Sequence, residues 1–163
     1  MMPRDFVPED LLMFVNTLQR FARLPRQDQR LLIRAFCLAG FVRLVILIVP
    51  FRRLSPFLGS HMGESPREED DARLAYAWRV GRTVETVSRY TPWKSKCLVQ
   101  AVVAKILLRR LGIANTLYMG VARDEGEGLV AHAWLRCGET ILTGGQGRER
   151  FTVVSTFADG AHS

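Results

Sequence analysis

The chain has 163 residues, of which 48% are hydrophobic and 24% charged, so its length and composition fit one domain with an apolar core. Its three cysteines, Cys37, Cys97 and Cys137, are an odd number without a CxxC pair, which argues against a disulfide framework and a zinc site. No signal peptide is predicted. The most hydrophobic run, residues 44–51, is far shorter than the roughly 18 apolar residues of a membrane span. We therefore expect a soluble, cytoplasmic protein without a transmembrane segment.

The net charge of +7 restricts the kinds of partner. A basic balance suits nucleic acid, an anionic membrane surface or an acidic peptide. The arginines and lysines are scattered, and the aromatic residues do not alternate with them as they do in a base-stacking platform. The first explanation of the net charge is therefore a solvated basic surface, and the second is an acidic protein or peptide partner. No nucleic-acid partner is expected.

The first part of the chain has the pattern of helices. Apolar residues recur at helical spacing over residues 8–24, and Pro25 ends this predicted helix. A second helix is predicted from residue 26 towards Pro50, with Cys37 as a small buried hydrophobe. Residues 50–67 are rich in proline and glycine and predict a connector. A third helix is predicted over residues 72–90, with the acidic residues 68–71 at its N-terminal end.

The second part combines one apolar helix with strands. That helix is predicted over residues 97–113, with Ser95 as N-cap and Gly112 as the C-terminal stop. Strand patterns follow at 115–122, 129–137, 139–142 and 151–157, with turn residues at 124–128 and 137–139. Grouped helices before grouped strands predict an α+β fold, a helical N-terminal half packed on a small antiparallel sheet. We expect a single domain over residues 1–163, with a helical part at 1–65 and the core at 66–163.

Cys97 and His132 are the candidate catalytic pair. A cysteine at a helix N-terminus beside Lys94 and Lys96 has a stabilised thiolate, and a strand histidine can accept and return a proton. This is the order and local structure of a papain- or transglutaminase-like nucleophile and base. Each residue alone is more often structural, a buried thiol or a core histidine. Their pairing favours catalysis.

Four stretches together resemble one family. They are YTPWKSKCLVQA at residues 90–101, LLRRLGI at 107–113, TLYMGV at 116–121 and AHAWL at 131–135. In combination they resemble the lasso-peptide leader peptidases, the transglutaminase-like cysteine proteases of lasso-peptide biosynthesis. The resemblance covers roughly residues 85–157 and implies a transglutaminase/papain-like core.

The resemblance implies a function as well. Such an enzyme removes the leader of a ribosomal precursor peptide in the cytoplasm, before an ATP-using lasso cyclase closes the ring. Cys97 matches the nucleophile and His132 the general base. Leader recognition in this family often lies on a separate small protein. The chain, short and helical at its start, resembles the stand-alone peptidase half. No metal or organic cofactor is implied.

The third catalytic residue departs from the family pattern. The family has an acidic residue on the strand after the histidine, whereas this chain has ILTGG at residues 141–145. With a two-residue turn at 138–139, Thr143 would lie opposite Trp134 and share a face with His132, so it is ranked first as the residue that orients the imidazole. Glu139, Gln146, Glu149, a backbone carbonyl and a water remain alternatives.

Trp93 and Trp134 are assigned to the substrate pocket, although Trp93 suits a core position equally well. Two other functions remain open. The same pair of residues could transfer the acyl group to an amine in place of water, as a transglutaminase does. The chain could instead be a non-catalytic, basic peptide-binding module whose Cys97 is structural.

Overall fold

The computed structural model describes residues 21–91, 97–126 and 128–160. Within them, helices come first and the main strands follow. In chain order the elements are helix α1 (Arg26–Ile48), the one-turn helix α2 (Phe51–Leu54), a 3-10 turn (Ser55–Leu58), strand β1 (Ser60–His61), helix α3 (Asp71–Tyr90), helix α4 (Cys97–Arg109), strands β2 (Asn115–Asp124), β3 (Gly128–Cys137) and β4 (Thr140–Thr143), a 3-10 turn (Arg148–Arg150) and strand β5 (Thr152–Asp159). The predicted α+β class is confirmed. Residues 8–20 of the first predicted helix lie outside the described residues.

The strands form one antiparallel sheet with the order β1-β5-β2-β3-β4. The long β2–β3 hairpin lies near its centre, and the four-residue strand β4 forms one edge. All four predicted strands are present. The two-residue strand β1, which pairs with β5, was not predicted because it lies in the connector between turn-forming residues.

Helix ends follow the expected chemistry. The side chain of Asp70 caps α3, because one of its carboxylate oxygens accepts hydrogen bonds from the backbone N–H groups of Ala72 and Arg73 at 3.0 and 3.2 Å. Beyond α4 the chain turns at Gly112, whose φ of 64° is in the left-handed region that favours glycine. The predicted N-cap of α4, Ser95, lies outside the described residues.

The apolar core lies between the helices and one face of the sheet. Alternate residues of β3 belong to it, together with the inner faces of α1, α3 and α4; those on β3 are Ala133, Leu135 and Cys137. Lys105 crosses this core from α4. It is 1% exposed, and its ammonium donates to Asn115 Oδ1 and to the Phe157 carbonyl and lies 3.0 Å from Asp159. Burial lowers the pKa of Lys105 to about 8.

Helix α1 is more apolar than predicted. Within the described residues it is the one helix with the length and hydropathy of a possible membrane span, because 18 of its residues average a hydropathy of 2.4. Only 22% of that stretch is buried against the rest of the protein. The length of the apolar stretch was underestimated when only residues 44–51 were considered, since the apolar pattern continues towards the N-terminus past Arg43 and Arg34.

Candidate active site

Cys97 is half-buried and is the first described residue of α4. The residues that follow it enter the core: Val99 is 1% exposed and Ala101 is fully buried. The helix is thus anchored against the sheet behind its first turn, while the thiol lies at the boundary between core and solvent. Cys97 is therefore not enclosed by the apolar core.

His132 lies on the sheet near the open edge beside β4. Its neighbour Ala133 points into the core, so strand alternation places His132 and Trp134 on the other face. β4 ends at Thr143, one residue before the point where the chain contacts the imidazole. The Nε2 atom of His132 lies 2.8 Å from the carbonyl oxygen of Gly144.

Two aromatic rings support the imidazole. The ring of Phe151 is 4.9 Å from it and that of Trp134 is 5.9 Å away, centre to centre. Gly120 faces His132 across the β2–β3 pair, and a Cβ there would lie 2.9 Å from the Phe151 Cβ and 3.0 Å from the Trp134 ring. The glycine thus allows both rings to pack beneath the histidine.

The contact with Gly144 assigns the tautomer of His132. A carbonyl oxygen only accepts, so Nε2 must carry the proton of this hydrogen bond. In the neutral imidazole the other nitrogen, Nδ1, is then an acceptor. An accepting Nδ1 is what a general base for a thiol requires.

Cys97 and His132 line one cavity of about 570 Å³. Its wall includes Gly144, Gly145 and Gln146 as well as Gln100, one turn along α4 from Cys97. Within the described residues no hydrogen bond joins the Cys97 sulfur to the imidazole. The two side chains therefore share a solvent-connected cavity without a hydrogen bond between them, and catalytic hydrogen bonds are often long or poorly aligned before substrate binds.

Helix α3 contributes charged residues to the same cavity. Arg82, Glu85, Ser88 and Arg89 form the α3 wall of this cavity. Arg82 pairs with Glu85 at 3.5 Å. Two arginines against one glutamate give this wall an excess of positive charge. These residues were not predicted, because on a helix they have the pattern of an ordinary solvated face.

Thr143 does not orient the imidazole, and that prediction was wrong. The turn at residues 138–139 has the expected length, since Cys137 pairs with Thr140. A bulge at Leu142 then shifts the register by one residue, and Thr143 lies opposite Leu135 instead of Trp134. Thr143 is 1% exposed, and its hydroxyl has no hydrogen-bond partner among the described residues. The contact to the imidazole comes from the next residue, through its backbone.

Two further predictions need correction. Trp134 is 5% exposed and stacks on the Tyr118 and His132 rings, so it supports the histidine and is not in the substrate pocket. Cys37 is exposed, because it lies on the outer side of α1 and not in the core. Trp93 lies outside the described residues. Burial raises the pKa of Cys137 to about 11, which makes this cysteine a poor nucleophile.

These features define a class of protein, an α+β domain in which a helix-borne cysteine and a strand-borne histidine share one cavity. Residues 45–156 match the model of the transglutaminase-like superfamily. The match covers more than half of the chain, which therefore belongs to that superfamily. Searches of curated proteins and of solved structures found no match.

Proposed function

We propose that this chain is a cysteine peptidase that removes the leader from a ribosomal lasso-peptide precursor before cyclisation. The observation that carries the peptidase chemistry is the shared cavity of Cys97 and His132, in which the Gly144 carbonyl leaves Nδ1 of the imidazole as the acceptor. The substrate class comes from the resemblance of residues 90–101 and 131–135 to the leader peptidases. Superfamily membership supports the chemistry and leaves the substrate to experiment.

The acylation step uses the two side chains in sequence. His132 Nδ1 takes the proton of the Cys97 thiol, and the thiolate attacks the carbonyl carbon of the scissile peptide bond. The backbone N–H of Cys97, at the start of α4, is the proposed donor to the developing oxyanion. The imidazolium then returns its proton to the departing amine of the core peptide, and the leader remains on Cys97 as a thioester.

Deacylation reverses these roles. His132 takes a proton from a water molecule, the resulting hydroxide attacks the thioester carbonyl, and the leader leaves with a free carboxylate. The thiolate of Cys97 regains its proton from the imidazolium. Gly144 takes no part in bond making, because its carbonyl only holds Nε2 and so fixes the ring.

Recognition of the precursor includes partners in this proposal. A separate leader-recognition protein would raise the effective concentration of the leader at the cavity, and an ATP-using cyclase would consume the product in the cytoplasm. The excess of arginine on the α3 wall favours a neutral or acidic segment next to the cleaved bond.

Acyl transfer to an amine is the second candidate. The superfamily match accommodates it, because the same thioester can react with an amine in place of water. A peptidase would release free leader carboxylate when an excess of a primary amine is present, whereas an acyltransferase would give an amide. Mass spectrometry distinguishes the two products. A non-catalytic binding module would give neither.

The direct test is a cleavage time course with the precursor peptide, in the presence and absence of the recognition protein. We expect slow cleavage by the chain alone and much faster cleavage with that protein. Cys97→Ala serves as the blank, and His132→Ala should lose nearly all activity. Equal rates with and without the recognition protein would remove that partner from the proposal, and cleavage by Cys97→Ala would remove the mechanism.

A further inference from the structure

Helix α1 has a second apolar face that the other described residues leave exposed. Its inner stripe, Leu31, Ala35, Ala39 and Val42, is buried against the other helices. Large hydrophobic side chains also occupy the opposite side, with exposures of 53–70%: Ile33, Phe41, Leu44, Leu47 and Ile48. A helix that is apolar all round is ordinarily enclosed by protein or lies in contact with lipid.

This outer face is long and continues past the end of the helix. At a rise of 1.5 Å per residue, the 23 residues of α1 span about 34 Å. The chain then turns at Pro50, and Phe51 and Phe57 continue the exposed apolar surface. Exposed apolar patches of this extent mark interaction sites on proteins.

The charges around this face have one sign. Between Asp28 and Glu64 the sequence has no acidic residue, and it has five arginines: Arg30, Arg34, Arg43, Arg52 and Arg53. None of the five forms an ion pair in the described part of the chain. Arg52 and Arg53 lie together on α2, at the end where the apolar surface turns. Arginines beside an exposed apolar face are complementary to anionic lipid headgroups.

The buried inner stripe of α1 favours a helix that lies on the membrane surface over one that crosses the membrane. To span a membrane, α1 would have to separate from α3 and α4 and expose the cavities left by Leu31, Ala35 and Val42. Contact through the outer face requires no such rearrangement. A bilayer also requires no shape complementarity, so the apolar face needs no matching surface on a protein partner.

We propose that the outer face of α1, together with α2, docks this domain onto the surface of an anionic membrane. The apolar side chains enter the boundary between headgroups and acyl chains, and Arg52 and Arg53 contact the headgroups. The catalytic cavity is formed by other elements and remains within the soluble part of the protein. This inference is independent of the proposed substrate.

The test is co-sedimentation of the full chain with vesicles of phosphatidylcholine alone or of phosphatidylcholine mixed with phosphatidylglycerol. We expect clear binding to the mixed vesicles and little to the neutral ones. The double variant Leu44→Gln/Leu47→Gln should weaken partitioning tenfold or more. Arg52→Gln/Arg53→Gln should weaken it by roughly fivefold per arginine at low salt.

Matched controls come from exposed residues elsewhere. Leu129, which is 76% exposed on β3, is changed to Gln, and the exposed Arg110 and Arg123 are changed to Gln as a pair. These variants should bind the mixed vesicles like the parent chain. Circular dichroism and thermal unfolding without vesicles verify that each variant is folded.

Four results would overturn the proposal. The first is equal binding to both vesicle types, and the second is unchanged binding by the variants of the α1 face. A third is a stable dimer, seen by light scattering, that depends on Leu44 and Leu47 and does not sediment with vesicles. The fourth is that the recognition protein no longer accelerates precursor cleavage by Leu44→Gln/Leu47→Gln, while the parent chain shows no vesicle binding. That result would assign the face to a protein partner.

Discussion

Gly144 provides the sharpest test of how His132 is held, because Gly147 is a natural control for it. Both glycines have a φ of 68°, a conformation that costs an alanine about 1 kcal/mol. A Cβ on Gly147 would meet nothing within 4 Å. A Cβ on Gly144 would lie less than a van der Waals contact from the Ala133 carbonyl, so the backbone has to move. The two substitutions therefore share the conformational cost and differ in the displacement of the carbonyl that binds the imidazole.

The expected magnitudes follow from that difference. Gly147→Ala should lower the free energy of unfolding by about 1 kcal/mol. Gly144→Ala should lower it by about 2–4 kcal/mol, because backbone strain adds about 1–3 kcal/mol to the same conformational cost. Displacement of the carbonyl by as little as 1 Å also disturbs the position of Nδ1, and misplacement of that size can reduce the rate of precursor cleavage about a hundredfold.

Three measurements separate these effects. Urea unfolding gives the stabilities, and precursor cleavage gives the activity. The alkylation rate of Cys97 against pH, measured in a Cys37→Ser background because Cys37 is also exposed, reports the coupling of thiol and imidazole without any substrate. We expect the pH profile of Gly147→Ala to match the parent and that of Gly144→Ala to lose the contribution of His132. If both variants retain parental activity and pH profile, the carbonyl is not what positions the histidine.

Three further predictions concern the surroundings of the site. Thr143→Val should raise stability by about 1–3 kcal/mol in urea unfolding and leave cleavage unchanged, since it removes a buried hydroxyl that has no partner among the described residues; lost activity would return the orienting role to the hydroxyl. Gly81→Ala should lower the thermal midpoint by several degrees, because its Cβ would meet the Leu142 carbonyl on β4 at contact distances that force α3 outward; an unchanged midpoint would contradict this packing. Between pH 8 and 9 the unfolded chain binds more protons than the folded one at Lys105 and fewer at Cys137, so Lys105 should add about 1 kcal/mol of stability over this interval and Cys137 should offset part of it; in urea unfolding the change of stability with pH should be about 1 kcal/mol less favourable in Lys105→Met than in the parent.

Much of the fold follows from the sequence because local patterns and tertiary packing agree. The strand patterns at 115–122 and 129–137 lie between turn residues, and the acidic run before residue 72 supplies the cap of α3. Helical spacing also located α1, but it did not reveal which of the two apolar sides faces the core. For that reason Cys37 was predicted to be buried, whereas the buried side of α1 consists of other residues. A helix with a weak contrast between its faces carries no signal for its orientation.

The candidate site was predictable where it depends on side chains and unpredictable where it depends on the backbone. Cys97 and His132 were selected as candidates from residue type and element, and both line one cavity. The bulge at Leu142 has no marker in the sequence, yet it shifts β4 by one residue and so exchanges Thr143 for the Gly144 carbonyl beside the imidazole. A register slip of one residue reverses which face each side chain occupies. The group that contacts the His132 imidazole could therefore not be predicted from the sequence pattern.

The replacement of a carboxylate by a carbonyl affects more than the identity of one group. Both acceptors fix Nε2 as the protonated nitrogen and leave Nδ1 to act as the base, so the orienting role is preserved. A carboxylate also carries a full negative charge that stabilises the imidazolium, whereas a carbonyl supplies only a dipole. Under the proposed function, an acidic group on the bound peptide would supply the negative charge that the carbonyl lacks, and it would face the two arginines of the α3 wall.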